Sequence, residues 1–428
     1  MPHTESILWF EQITLEDIGR VGGKNASLGE MTRSLQSAGV PIPPGFAITA
    51  QVYRDFIEAN QLTGRIAEQL AELKHEQQSL ADTGAAIRAL ILGGEFTNGQ
   101  RNAIEDAYQR LCDRLQQPDA PVAVRSSATA EDLPEASFAG QQESFLNVRG
   151  LDGLLESSRA CLASLYTDRA IAYREQHGFA HEQVALSVGV QQMVRSDLGC
   201  AGVLFTLDTE SGFPDVVLIN GAWGLGESVV KGSVNPDRFM VYKPLLEREF
   251  QPIIERTCGS KAEKMLYADS AGETGKTTRT VATTESERQR LVLNDEDILT
   301  LARWGIQIEQ HYQRAMDIEW ARDGDTGQLY IVQARPETIE SQKDRAVFSS
   351  YKLKEQGPVL AEGASVGSAI AAGPVCKLDR HDQSELFPKG AILVTDRTDP
   401  DWVPIMRRAA GVITNSGGAT SHAAIVSR

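Results

Sequence analysis

The chain has 428 residues and a mass of 46.6 kDa, room for two or three domains that each bury a core. Hydrophobic residues at 41% and charged residues at 23% sit near the globular average, which excludes a disordered or fibrous chain. With 42 Lys and Arg against 58 Asp and Glu, the net charge of −16 argues against broad binding to nucleic acid or to an anionic membrane. Any anionic ligand has to be held by local cations.

The N-terminus, MPHTESILWFEQ, has neither a basic start nor an apolar signal core, and no apolar run is long enough to span a bilayer, so a cytoplasmic location is expected. Cys112, Cys161, Cys200, Cys258 and Cys376 include no CxxC pair and read as free thiols.

In chain order, GGKNASLGEMTRSLQSAGVPIPPGF predicts a helix with Leu28, Met31 and Leu35 on one face, stopped by Gly39 and Pro41, with Lys24 near its N-terminus. From about residue 51 to 117 the pattern is helical, with Phe56, Ile57, Leu70, Ile87, Leu90, Ile104 and Leu111 as core. PVAVRSS then predicts a strand leading into SATAEDLPEASFAG. That loop is rich in small residues, which let backbone approach a ligand, and its length fits a lid or an Ω-loop.

After a helical stretch from Leu154 to Gln176, the alternation of Val184, Leu186, Val188 and Val190 predicts a half-buried strand. CAGVLFTLD, DVVLINGAW and DRFMVYKPL read as strands of a mixed sheet. AMDIEWARD and QLYIVQARPE flank the turn signal GDTG and predict a hairpin. Period two puts Asp317 and Glu319 on one face and Gln333 and Arg335 on one face, so pairing would gather a carboxylate, an amide and a guanidinium. Residues 341–362 read as a linker. A second domain follows, with the short β runs PVCKL, AILVTD and GVITN, and the sequence stops inside HAAIVSR, so a truncated chain is expected.

Holding a nucleoside triphosphate takes cations, backbone N–H donors, and carboxylate or amide oxygens for Mg²⁺. The GxxxxGK[ST] loop is absent and GAWGLGE is not a dinucleotide fingerprint, so a different nucleotide fold is required. The candidates are Lys24, Arg125 and the Glu319, Gln333, Arg335 group. Each has a plainer reading, as a solvated surface charge or an outward-facing strand carboxylate. His422, between SGGATS and a helix start, is either a phosphate-linked histidine or an incidental neighbour of a helix cap.

The segments RVGGKNASLGEM, GVPIPPGFAIT, VAVRSSATAEDLPEASFAGQQESFLNV, FTLDTESG, GAWGLGESVVKGSVNPDRF, DIEWA and YIVQARPET resemble, in order, the nucleotide-binding half of the phosphoenolpyruvate-utilising enzymes. DRTDPDWVPIMRRAAGVITNSGGATSHAAIVSR resembles their phosphohistidine domain. Within that family the resemblance is to the phosphoenolpyruvate synthase (pyruvate, water dikinase) branch. It implies an α/β (α+β) fold: an ATP-grasp domain over residues 1–340, a linker over 341–362, and a partial swivelling phosphohistidine α/β domain over 363–428, with the C-terminal pyruvate-binding barrel absent.

The resemblance further implies that Lys24 and Arg125 contact ATP phosphates, that Gly140 and Ser144 lie under them, and that Gln191 is on the adenine side. Glu319 and Gln333 would hold Mg²⁺, Arg335 would act on the triphosphate, and His422 would take the β-phosphoryl group while water takes the γ-phosphate. Pyruvate would then receive the phosphoryl group in the barrel. Thr420 would be the target of a regulatory kinase/phosphorylase, and the full-length enzyme would form a homodimer. Ser421 is shared with pyruvate, phosphate dikinases and does not separate them from synthases. Rifampicin phosphotransferase is disfavoured by the short linker and the dikinases by their extra insertions. A non-catalytic ATP-binding or phosphocarrier module working with a separate partner is the reading from another class.

Overall fold

The computed structural model describes residues 5–75, 77–129, 143–176, 178–248, 250–268, 277–337, 354–355, 357–363, 365–366, 369–398 and 400–416. The chain divides into two compact units, one of residues 1–194 with 267–278 and the other of residues 195–266 with 279–428.

In the first unit, strands β1 (Ile7–Trp9), β2 (Gly45–Ile48), β3 (Val122–Ala128), β4 (Ser144–Val148) and β5 (Leu186–Gln192) form an antiparallel sheet in the order β1-β2-β5-β3-β4. Helix α1 (Ile18–Ser34) is broken at Gly22, whose φ of +74° is outside helical space, so its straight part begins at Gly23 and Lys24 as the sequence predicts. A side chain at Gly22 would also strike Ser127, with Oγ only 2.3 Å from the added Cβ. Leu28, Met31 and Leu35 are buried, and Gly39 in left-handed geometry ends the turn that follows.

Helices α2 (Ala50–Ala59), α3 (Leu62–Lys74), α4 (Leu80–Leu92) and α5 (Asn98–Leu115) fill the stretch predicted to be helical; α6 (Gly150–Ser164) and α7 (Asp168–Gln176) fill the next. Phe56, Ile87, Ile104 and Leu111 are buried in one core, with Ile57, Leu70 and Leu90 packed at its margin. β5 departs from the half-buried expectation, because it is covered on both faces. Leu186, Val188 and Val190 enter the helical core, while Ser187 and Gly189 lie under Asn25 of α1.

In the second unit, β6 (Cys200–Phe205), β7 (Val216–Trp223), β8 (Asp237–Tyr242) and β9 (Ile253–Thr257) precede the ribbon of β10 (Glu263–Tyr267) and β11 (Thr278–Ala282). The strands β12 (Met316–Arg322) and β13 (Leu329–Pro336) form the predicted hairpin. The six-stranded sheet has the order β13-β12-β6-β7-β8-β9 and is antiparallel throughout, which corrects the mixed sheet expected from the sequence. The 10 residues between β6 and β7 are too few for the dozen or more that a parallel crossover takes. Between the strands lie α8 (Glu227–Val230), α9 (Glu285–Gln289) and α10 (Asp295–Tyr312). Gly305 of α10 sits against Leu204, so α10 covers the face that carries Ile318, Leu204 and Ile219. Strands β14 (Val375–Lys377), β15 (Ile392–Thr395) and β16 (Gly411–Thr414), with α11 (Val403–Met406), match the predicted short β runs and form a parallel sheet.

Two polar contacts anchor these units. In the second, Lys261 and Asp237 form a fully buried ion pair. Asp237 also accepts the N–H groups of Gly259 and Val292, each at 2.8 Å, tying β8 to the segment before α10. In the first, His181 Nδ1 accepts from Arg174 Nε at 2.8 Å, and burial together with that guanidinium lowers the imidazole pKa to about 4.

Replacing Asp237 with Asn strands a buried ammonium and is expected to lower unfolding free energy by about 3 to 5 kcal/mol in a denaturant titration. Arg101→Ala, at an exposed pair with Asp152, is expected to change it by less than about 0.5 kcal/mol. For His181 the folded pKa is depressed, so its contribution is complete above the unfolded value near 6.5 and is lost as pH falls towards about 4. Thermal or denaturant unfolding between those limits is expected to show a loss of about 1 to 2 kcal/mol after allowance for solvent screening. His181→Gln, which can still accept from Arg174, is expected to flatten it.

Candidate active site

The first unit gathers its candidate residues on one face of its sheet. Arg125 on β3 lies directly opposite Ser144 on β4 and opposite Gly189 on β5. Gln191 is opposite Ala123 and Gly45 in the same alternation, so Arg125, Ser144, Gly189 and Gln191 share a face. Arg125 is the one β3 residue that is not fully buried. The Gln191 amide is buried and donates to the Pro43 carbonyl at 3.4 Å.

The start of the straight part of α1 is pinned over this face. Asn25, next to Lys24, donates from its buried amide to Ser187 Oγ at 3.1 Å and to the Val21 carbonyl at 3.0 Å. Ser187 Oγ in turn donates to the Ile48 carbonyl at 2.7 Å, and the Asn25 N–H reaches Ser127 Oγ at 3.4 Å. Three strands thereby hold the turn beside Lys24, a half-buried cation at a helix N-terminus, where the helix dipole already favours an anion. Asn25 was not among the residues picked from the sequence; its only signal there is its place in GGKNA.

In the second unit the hairpin register sets the chemistry. Asp317 faces Arg335 and Glu319 faces Gln333, with a bulge between Glu319 and Trp320. Arg335 donates Nε and Nη2 to Asp317 Oδ2 at 2.9 and 2.8 Å. Burial raises the Asp317 carboxyl above the usual carboxylate range, Arg335 pulls it back, and the charges of Glu319 and Glu337 push it up again. Glu319, half-buried, and Gln333, buried, lie in a row with Val203 and Asn220 across β6 and β7, on the face opposite α10.

A carboxylate beside an amide oxygen is a hard, oxygen-only donor set, with negative charge left over once Arg335 is matched to Asp317. That suits Mg²⁺, which keeps waters and shares its shell with phosphates rather than needing a full protein cage. Among the described residues no cluster of three or more His, Cys, Asp or Glu could hold a metal by itself. The sequence thus foresaw Glu319, Gln333 and Arg335 together; it singled out Asp317 only as a face mate, and the ion pair is what the register adds. Gly140, Thr420 and His422 lie outside the described residues.

Residues 18–355 match the family described as pyruvate phosphate dikinase, AMP/ATP-binding domain, and residues 387–428 match the PEP-utilising enzyme, mobile domain. The chain belongs to this family of phosphoenolpyruvate-utilising enzymes, and its α+β architecture is of the ATP-grasp type. Among its relatives is the phosphoenolpyruvate synthase of Synechocystis sp., 51% identical over 99% of this chain and 53% of the relative. The synthases of Pseudomonas aeruginosa and Escherichia coli are 51% and 49% identical, each again over 99% of this chain and 53% of the relative. The chain therefore spans about half the length of the curated relatives it matches.

Asn25→Ala removes a buried donor from both Val21 and Ser187 and is expected to cost about 1 to 3 kcal/mol in a denaturant titration. Arg20→Ala, on the same helix with a partly exposed side chain, is expected to stay within about 0.5 kcal/mol.

Proposed function

We propose that this chain supplies the ATP-dependent half of phosphoenolpyruvate synthesis: ATP phosphorylates His422, and the phosphoryl group is later passed to pyruvate by a longer protein of which these residues are part. Summed, ATP, pyruvate and water give AMP, phosphoenolpyruvate and phosphate. The hairpin register carries this reading, because it sets Glu319 against Gln333 and Arg335 against Asp317 within a segment that matches an ATP-binding family. The synthase names of the relatives support it over rifampicin phosphotransferase, pyruvate, phosphate dikinase or a non-catalytic carrier module.

Phosphoryl transfer is governed by position and charge. Lys24, at its helix start, and Arg125 neutralise phosphate oxygens; Gly140 and Ser144 offer close approach beneath them; Gln191 orients the adenine side. Glu319 and Gln333 would hold Mg²⁺, which would supply positive charge to neutralise phosphate oxygens. Arg335, steadied by Asp317, meets the charge that develops on the transferring group. His422 attacks as the neutral imidazole and so needs its accepting nitrogen unprotonated.

A regulatory kinase/phosphorylase acting on Thr420 and a homodimer of the whole protein belong to the same reading. So does a cytoplasmic location; among the described residues no helix is long and apolar enough to cross a membrane.

Incubation with Mg²⁺ and ATP labelled in the β-phosphate is expected to leave acid-labile label on the protein, abolished by His422→Ala and by chelation of the metal. Equal label in His422→Ala, or no label on the whole protein with ATP bound, contradicts the proposal.

A further inference from the structure

Arg174 points inward from α7 and is fully buried. Its Nε is spent on His181 Nδ1, and its guanidinium carbon lies 5.3 Å from the centre of the Tyr166 ring. Nη1 and Nη2 meet no hydrogen-bond partner among the described residues. Orphaned donors on a buried charge are rare enough in folded proteins to need an explanation.

Among the described residues no buried counter-charge is coupled to Arg174. His181 accepts from Arg174 through Nδ1, which makes it the neutral tautomer with its proton on Nε2. The hydroxyls of Tyr53 and Tyr166 stand 3.4 Å apart, and burial raises both pKa values, so both stay neutral. Among the described residues, the carboxylates coupled to this cluster are Glu175 and Glu182, both exposed, and Arg54 adds positive charge near Tyr53. Cation–π contact with Tyr166 offsets a fraction of the cost. A water molecule could accept the N–H groups but would leave the charge uncompensated.

We propose that the first unit binds a small inorganic anion of about the size of chloride against Nη1 and Nη2 of Arg174. The size follows from burial, since Arg174, Tyr53 and Tyr166 are all buried, which favours a small anion over a carboxylate metabolite or a phosphate ester. The tyrosine pair can add a donor, because one hydroxyl donates to the other and leaves one proton to point elsewhere. The Arg174 carbonyl accepts the Phe179 N–H at 2.9 Å, and His181 lies in the turn that leads into β5. The anion would therefore brace the join between α7 and the strand that carries Ser187, Gly189 and Gln191. This site stands whether or not the proposed activity does.

Crystals of the wild-type chain soaked in bromide are expected to show an anomalous peak within hydrogen-bonding reach of both Nη atoms. A peak-free position filled by water, or by a backbone carbonyl, overturns the proposal. In solution, thermal midpoints are compared in chloride and in gluconate at one ionic strength. Wild type is expected to gain about 3 °C, saturating with chloride, and Arg174→Met none. Equal midpoints for wild type in the two salts, or an equal gain in Arg174→Met, contradicts it. Should Arg174→Met fail to fold, the bromide soak decides alone.

Discussion

Everything proposed for the second unit depends on the register between β12 and β13. Side chains in a strand alternate with a period of two, so a slip of one residue would turn Glu319 away from Gln333 and break the Asp317–Arg335 pair at once. Two features hold the register. The GDTG turn closes the hairpin, and its Asp323 caps the turn by accepting N–H groups from Asp325 and Thr326 at 3.0 and 2.8 Å. On the other face, Ile318 and Trp320 are buried on the α10 side of the sheet and would face solvent after a slip.

The first unit solves a related problem with different means. A helix start has to be brought close to a sheet so that the first turn, beside Lys24, sits over the face that carries Ser127, Ser187 and Gly189. Gly22 makes the approach sterically possible, and Asn25 holds it with hydrogen bonds that reach β3 and β5. Buried amides of this kind are costly unless fully satisfied, and Asn25 is satisfied only in this one arrangement, so it specifies position as well as adding stability.

Much of this was readable from residues alone where local chemistry decides the outcome. The hairpin, the helix after Gly22, the helical stretch to Gln117 and the short strands of the last sheet all follow from turn signals and periodicity. What was not readable depends on contacts distant in sequence. β5 looked half-buried because Ser187, Gly189 and Gln191 are polar or small, yet they lie beneath α1, from residues more than a hundred positions earlier. The antiparallel order of the large sheet is set by which strands meet, which strand composition does not encode. Asn25 and Arg174 carry no sequence pattern of their own; each stands out only through the partners it has, or lacks, in the folded chain. The family resemblance, carried by long motifs, reached further than periodicity and is matched by the comparisons over 99% of the chain.

The account rests on a divalent ion shared between Glu319, Gln333 and the phosphates of ATP, and calorimetry tests that most directly. Titration of ATP with and without Mg²⁺ into wild type and Glu319→Gln is predicted to show Mg²⁺-ATP binding weakened about tenfold or more in the variant, with metal-free ATP binding unchanged. Equal affinity of the two proteins for Mg²⁺-ATP, with the variant folded, would contradict it.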